Sequence, residues 1–212
     1  VKILLIGASG TIGQRILAEA LSRGHTVTTV TRDPSKVPAQ DRVKAVKGDV
    51  LDAKSLASVA NGHDAVVSAF GPSGGQDASK TVDAARAQIA GLKDAGVKRL
   101  IVVGGAGSLE VAPGVQVVDT PEFPAAWKGI ALAHRDALEV YRKEGNDLEW
   151  TYISPPALIE PGTRTGTFRV GGDQLLVDAN GQSRISAEDY AIALVDEVET
   201  PKHVRKRFTV AY

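Results

Sequence analysis

No cysteine occurs in the 212 residues, which excludes a disulfide, a thiol nucleophile and a thiolate metal site. Methionine is absent as well, and aromatic residues are scarce at 5%, so the core must be built from Ala, Val, Leu and Ile. There is no surplus of either charge, since 25 basic side chains balance 25 acidic ones. Such a chain has no net field with which to hold nucleic acid or an anionic membrane, and neither is expected as a partner. No apolar run approaches the ~18–20 residues of a membrane span. Residues 1–6 already read as a strand, with no signal peptide ahead of them, and the expected location is cytoplasmic. No His, Asp or Glu spacing suggests a metal.

What the chain does have is alternation. Its apolar content of 43% suffices for a packed core, and its length is that of one domain, 1–212. Short β-branched runs at 1–6, 26–31, 43–46, 64–69 and 99–103 read as strands. Helical patterns lie between them at 11–23, 53–60 and 78–95. In the first, Ile12, Ile16, Leu17, Ala20 and Leu21 share one face. Gly24, Gly62 and Gly96 follow these helices, where a left-handed cap is needed. Alternation of this kind predicts an α/β fold: a Rossmann-type doubly wound parallel sheet with helices on both faces. The second half is less regular. Residues 104–128 read as a long functional loop or lid, followed by a helix over 129–144 and a strand over 149–153. Residues 167–178 alternate like a hairpin turning at Gly171-Gly172, and Asn180-Gly181 marks another turn. Ser186 caps a helix running to 199, with Glu188 and Asp189 in its first turn. A strand over 207–210 closes the chain. This half is expected to form a small C-terminal subregion on the substrate side.

Gly7, Ser9, Gly10, Thr11, Ile12 and Gly13 sit between the first strand and the first helix. Three glycines there let the chain turn sharply, bring its backbone against a pyrophosphate and aim the helix N-terminus at the negative charge. The second strand ends in Thr31 and Arg32. A guanidinium at that tip suits the 2′-phosphate of NADP(H), whereas NAD sites place a carboxylate nearby. NADP(H) is therefore expected over NAD(H), although Asp33, if turned inward, would serve NAD. Asp49 and Val50 end the third strand, where the carboxylate either meets the adenine amino group or closes a turn. Ala69, Phe70 and Gly71 follow the fourth strand, at the edge where ligands collect. Phe70 there either flanks the cofactor or covers the core.

Several motifs resemble one another's counterparts in a known family. Gly7-x-x-Gly10-x-x-Gly13, Arg32-Asp33-Pro34 and Gly48-Asp49-Val50 resemble the atypical short-chain dehydrogenase/reductase superfamily. Residues 102–109, Ser154-Pro155-Pro156-Ala157, Gly171-Gly172-Asp173-Gln174 and the run 184–191 are similar to its NAD(P)H-flavin reductase family, akin to biliverdin reductase B and the NmrA-like proteins. The resemblance spans essentially the whole chain. It implies that Val103, Gly104, Ser154 and Pro155 also line the cofactor, and that Gly105 and Pro156 border the substrate. The superfamily's Tyr-x-x-x-Lys pair is missing: Gly145, Pro156 and Leu194 stand four residues after Tyr141, Tyr152 and Tyr190, and Tyr212 is the last residue. If Glu139 aligns with the glutamate of NmrA-like proteins, Ala131 and Arg135 occupy the tyrosine and lysine positions.

Without that pair, carbonyl reduction lacks its usual proton donor. Hydride transfer to a flavin needs less, because the proton can come from solvent and the site mainly orients two flat rings. The flavin is expected as a substrate, one of several possible planar acceptors with quinones and linear tetrapyrroles, and not as a bound prosthetic group. Gly104–Gly107 would form an open floor for the ring. Ser108 would donate to a ring atom or else satisfy its own loop. Phe123 and Trp127 would cap the ring or else staple the loop. Arg135 and His134 are further catalytic candidates. The alternatives are a redox sensor that binds the dinucleotide and regulates a protein partner without turnover, or a carbonyl reductase or epimerase whose donor is Tyr190 or Ser108. Lys202, Arg205, Lys206 and Arg207 read as a solvated basic edge.

Overall fold

The computed structural model describes residues 1–72 and 77–212. The elements of the front half are β1 (Lys2–Ile6), α1 (Thr11–Ser22), β2 (Thr26–Thr31), β3 (Val43–Lys47), α2 (Ala53–Ala60), β4 (Ala65–Ser68), α3 (Lys80–Ala95) and β5 (Arg99–Val103). The back half contains β6 (Glu110–Ala112), β7 (Val115–Gln116), α4 (Ala125–Glu144), β8 (Glu149–Ser154), β9 (Leu158–Glu160), β10 (Arg169–Gly171), β11 (Arg184–Ser186), α5 (Ala187–Glu199) and β12 (Lys206–Ala211). Eight strands form one sheet in the order β10-β12-β8-β5-β4-β1-β2-β3. All of its pairings are parallel except β10 with β12. The strand order reverses between β1 and β4, the switch point at which doubly wound sheets bind ligands.

Alternation along the strands supplies both cores. Ile3 and Leu5 of β1 face α1 and α5, while Leu4 and Ile6 face α2, α3 and α4. Strands buried on both faces are expected to be mostly apolar, and β1, β4 and β5 are so apart from one polar residue at an end of each, Lys2, Ser68 and Arg99. Gly24, Gly62 and Gly96 have φ of 86°, 80° and 71° and end the helices before them. Ser186 caps α5 by accepting from the Asp189 amide at 3.0 Å.

Two expectations fail in the back half. The hairpin over 167–178 does not form. Its first arm, β10, pairs with β12 (Arg169 opposite Ala211) and completes the sheet, while Gln174 bridges to Glu110. The edge of an eight-stranded sheet offers β10 more than a two-stranded hairpin would, since an isolated hairpin is marginal in water. Nor is 104–128 one irregular loop. It contains the β6–β7 hairpin and a 3₁₀ turn (Val117–Asp119), and α4 begins at Ala125. Gly129 reads as a boundary in the sequence, yet the helix runs through it with open space where its β-carbon would be. The expected C-terminal subregion consists of β9 paired with β11, beside the segment that leads to β10.

Candidate functional site

Parallel pairing brings the carboxyl ends of β1, β2, β3, β4, β5 and β8 to one edge. In the turn after β1, Gly7 has φ 80°, and a β-carbon there would lie 2.5 Å from the Ala69 carbonyl oxygen. A β-carbon on Gly13 would overlap the Gly7 carbonyl, so α1 can rest on the turn only if residue 13 is glycine. Gly10 differs. Its β-carbon would meet only the Gly7 oxygen, at 3.5 Å, and would otherwise fill the space in front of the helix. These are the three roles a pyrophosphate-binding turn asks of its glycines. Gly10 caps α1 with no side-chain hydrogen bond, and no acidic residue occupies the first turn. The amides and positive dipole end are left for an anion, whereas α5 spends Ser186, Glu188 and Asp189 on its own start. Ser9 and Thr11 are exposed beside the turn, and Ile12 anchors it on the core.

At the tip of β2, Asp33 caps the turn that follows it. Its Oδ1 accepts from the Ser35 hydroxyl at 2.6 Å and the Ser35 amide at 3.2 Å. Those bonds hold its carboxyl below the usual carboxylate range. The Thr31 hydroxyl accepts from the Asp33 amide at 3.2 Å. Arg32 is exposed and makes no side-chain hydrogen bond or ion pair with the described residues. Asp49 closes a turn, its Oδ1 accepting from the Leu51 amide at 2.9 Å, and it remains exposed at the end of β3. Val50 packs on the core behind it. The residues of this edge fit a dinucleotide: the glycine turn for the pyrophosphate, and Thr31 and Arg32 for the far ribose.

The other side of the switch point departs from expectation. Gly104–Gly107 is not an open floor. A β-carbon on Gly104 would strike the Tyr152 ring, one on Gly105 would lie 2.8 Å from the His134 β-carbon, and one on Gly107 would lie 2.8 Å from that of Ala131. These glycines let the loop after β5 lie against α4 and β8. Ser108 is buried at 4% exposure, its Oγ accepting from Arg207 at 2.9 Å, so it cannot reach a substrate. Ser154, Pro155 and Pro156 are buried too, with the Ser154 hydroxyl accepting from Arg207 and its carbonyl from Thr209. Pro156 as a substrate contact is thereby corrected. Val103 is 8% exposed; Ala69 and Phe70 are half-buried, and Gly71 is exposed.

His134 stands between two of these loops, its Nε2 3.8 Å from where a Gly71 β-carbon would be. Burial drives its imidazole down to about 4, so it is neutral at neutral pH and cannot act as an imidazolium donor. Its ring makes no hydrogen bond with the described residues. Arg135, one residue on, is partly exposed and lies 3.5 Å from Asp119. Phe123 is half-buried just before α4. Trp127 lies in the first turn of α4 and not in a loop, and at 64% exposure it is no staple.

The tyrosine hydroxyls are all engaged. Tyr141 donates to Gln88 at 2.7 Å, Tyr152 to the His134 carbonyl at 2.9 Å and Tyr190 to the Ile153 carbonyl at 2.6 Å. Tyr212 donates to Asp189 at 2.7 Å. Tyr190, entirely buried, is pushed well above its ordinary value by desolvation and is no displaced proton donor. The run 184–191 is explained instead by anchoring. Asp189 accepts from the Thr165 and Gly166 amides at 2.8 and 2.9 Å. Glu188 accepts from the Gly162 amide at 2.8 Å and from Arg15 of α1 at 3.1 Å. Arg164 reaches back to Glu19 of α1 with two bonds, at 2.8 and 2.9 Å. The segment around residues 162–166 is thus clipped to the helix that begins at the glycine turn. Sequence reading missed these clips and the burial of Arg207. Strict alternation along β12, with Phe208 and Val210 on one face, was the available signal for Arg207.

Comparison with known proteins agrees with this geometry. Residues 7–201 match the model of the NAD(P)H-binding family. The uncharacterized protein YwnB of Bacillus subtilis (strain 168) is 46% identical over 99% of this chain and 97% of its own. A Burkholderia pseudomallei structure, provisionally named an exported protein, superposes with a TM-score of 0.92 at 52% identity over 100% of both chains. A Streptococcus pneumoniae TIGR4 structure, provisionally named an NADH-flavin reductase, does so with a TM-score of 0.87 at 34% identity, covering 99% of this chain and 98% of that one. No helix among the described residues is long and apolar enough to cross a membrane. With its glycine turn, open α1 terminus and a family match over residues 7–201, the chain belongs to the NAD(P)H-binding family.

Proposed function

We propose that the chain is a cytoplasmic, NADPH-dependent reductase that passes a hydride to a flavin or a similar planar acceptor. The observation that carries this reading is the engagement of all four tyrosine hydroxyls within the protein. With Ser108 also committed to Arg207, no tyrosine or Ser108 hydroxyl among the described residues is left to protonate a carbonyl oxygen, and the chemistry that suits this edge takes its proton from solvent. Bound NADPH would supply the hydride. Gly7, Gly10 and Gly13 would hold its pyrophosphate, and Arg32 its 2′-phosphate. The capped Asp33 carboxylate supports NADPH over NADH, because it is spent within its own turn. Neutral His134, between the loops after β4 and β5, would orient a ring by hydrogen bonding, and exposed Trp127 would cover the acceptor.

The test is NADPH oxidation with FMN, FAD and riboflavin, beside NADH controls and quinone and tetrapyrrole acceptors. Turnover with NADPH that Arg32→Ala selectively impairs is the expected result. Tight NADPH binding with no turnover on any acceptor would overturn it in favour of a dinucleotide sensor, a role equally free of side-chain acids.

A further inference from the structure

A cavity of about 540 Å³ opens over β8, β12 and β10, a volume typical of small-molecule sites. It lies at the sheet edge opposite the glycine turn. Arg142 is in the last turn of α4, Trp150 is the second residue of β8 and Lys206 the first of β12. Four cations line it, Arg142, Arg205, Lys206 and Arg207, against one carboxylate, Asp173. That carboxylate is taken by Arg207, whose side chain is 3% exposed, at 2.8 Å. Arg142 shares Glu139 at 2.7 Å. Arg205 gives only its Nε, to the Leu148 carbonyl at 3.0 Å, which leaves the rest of its fork. The Lys206 ammonium has no partner among the described residues. The cations come from two separate elements and the turn before β12, and a concavity with a cationic excess concentrates its field on an anion.

We propose that this cavity is a second ligand site, distinct from the dinucleotide site, for a small phosphorylated molecule carrying at least two negative charges. A lone phosphate would leave most of the volume empty, and Gly172, with nothing within 4 Å of its β-carbon position, leaves one wall clear. Occupancy also has a route to the cofactor edge. Arg207 donates to the Ser108 hydroxyl at 2.9 Å and to the Ser108 carbonyl at 3.2 Å, in the loop that follows β5. An anion that competes with Asp173 for Arg207 or Arg142 loads that loop.

Trp150 forms part of the cavity lining, and Trp127 is the only other tryptophan. In the full chain carrying Trp127→Phe, inorganic pyrophosphate is titrated with and without saturating NADP⁺ while indole fluorescence is followed. The expected result is a saturable change that persists with NADP⁺. Lys206→Glu, a substitution at an exposed position, should weaken it about tenfold or more, and Arg32→Ala should leave it unaltered. No saturable change, a change indifferent to Lys206→Glu, or one abolished by NADP⁺ would overturn the proposal. Turnover is not read, so the reductase assignment can fail without touching this result.

Discussion

Gly13 packs its bare α-carbon so closely on the Gly7 carbonyl that a β-carbon at 13 would overlap it, while one at Gly10 would stand 3.5 Å from the same oxygen. The two glycines therefore serve different ends, one the fold and one the ligand. Gly13→Ala should gain helix propensity but lose more to a backbone overlap that cannot relax cheaply, a net cost of about 1–3 kcal/mol. Gly10→Ala should cost less than about 1 kcal/mol and yet weaken NADPH binding at least about tenfold, because its methyl enters the pyrophosphate space. Thermal denaturation beside cofactor titration separates them. If Gly10→Ala binds NADPH like the parent, the turn is not the pyrophosphate cradle.

Arg32 and Asp33 are neighbours with opposite fates: the guanidinium is exposed, the carboxylate is bound to Ser35. Arg32→Ala should raise the KM for NADPH about 10–100-fold, the worth of a charged hydrogen bond or two, and leave the KM for NADH nearly unchanged. An equal loss with both cofactors would mean that Arg32 does not read the 2′-phosphate.

The Tyr190 hydroxyl donates to an Ile153 carbonyl that also accepts from the Gly104 amide at 2.8 Å. Tyr190→Phe leaves that oxygen one partner, so it should cost about 1 kcal/mol of stability and nothing in turnover. A collapse of kcat with unchanged stability would restore Tyr190 as the proton donor.

The central strands were legible because they bury their side chains on both faces, which favours apolar, Val- and Ile-rich runs such as Ala65–Ser68 and Arg99–Val103. The glycine turn was legible because its signal is local: strand, three glycines, helix. What failed depends on distant partners. Nothing near Gly104 announces that Tyr152 will lie against it, or near Ser108 that Arg207 will claim its hydroxyl. The arm at 169–171 alternates equally well for a hairpin and for a sheet edge forty residues away, and only the open edge of β12 decides between them. Gly129 shows the converse. A helix-breaking residue was overruled because α4 is paid for by its packing further along, at Ala137, Leu138 and Tyr141.

His134 carries a pH signature. Its imidazole ionises near 6.5 in the unfolded chain and at about 4 in the folded one, because burial disfavours the charged form. The unfolded state then takes up a proton that the folded state refuses, so stability is full above 6.5 and falls as pH drops toward 4. Denaturation midpoints across that window should decline less steeply in His134→Phe than in the parent. Parallel slopes would mean that His134 ionises alike in the folded and unfolded chain.

Trp127 offers the cleanest separation of binding from folding. At 64% exposure in the first turn of α4, where residues 124–129 are all exposed, its indole covers little of the protein. A large apolar ring held in water at the mouth of a cofactor edge is explained if a flat acceptor stacks on it, a contact worth about 0.5–1.5 kcal/mol. Trp127→Ala should therefore leave the melting temperature unchanged and raise the KM for FMN about 2–12-fold, the equivalent of that energy, with little change in kcat. Riboflavin should respond as FMN does, since both present the same ring. If neither KM moves, the acceptor lies deeper, against His134 and Gly71, and the exposed indole has no part in holding it.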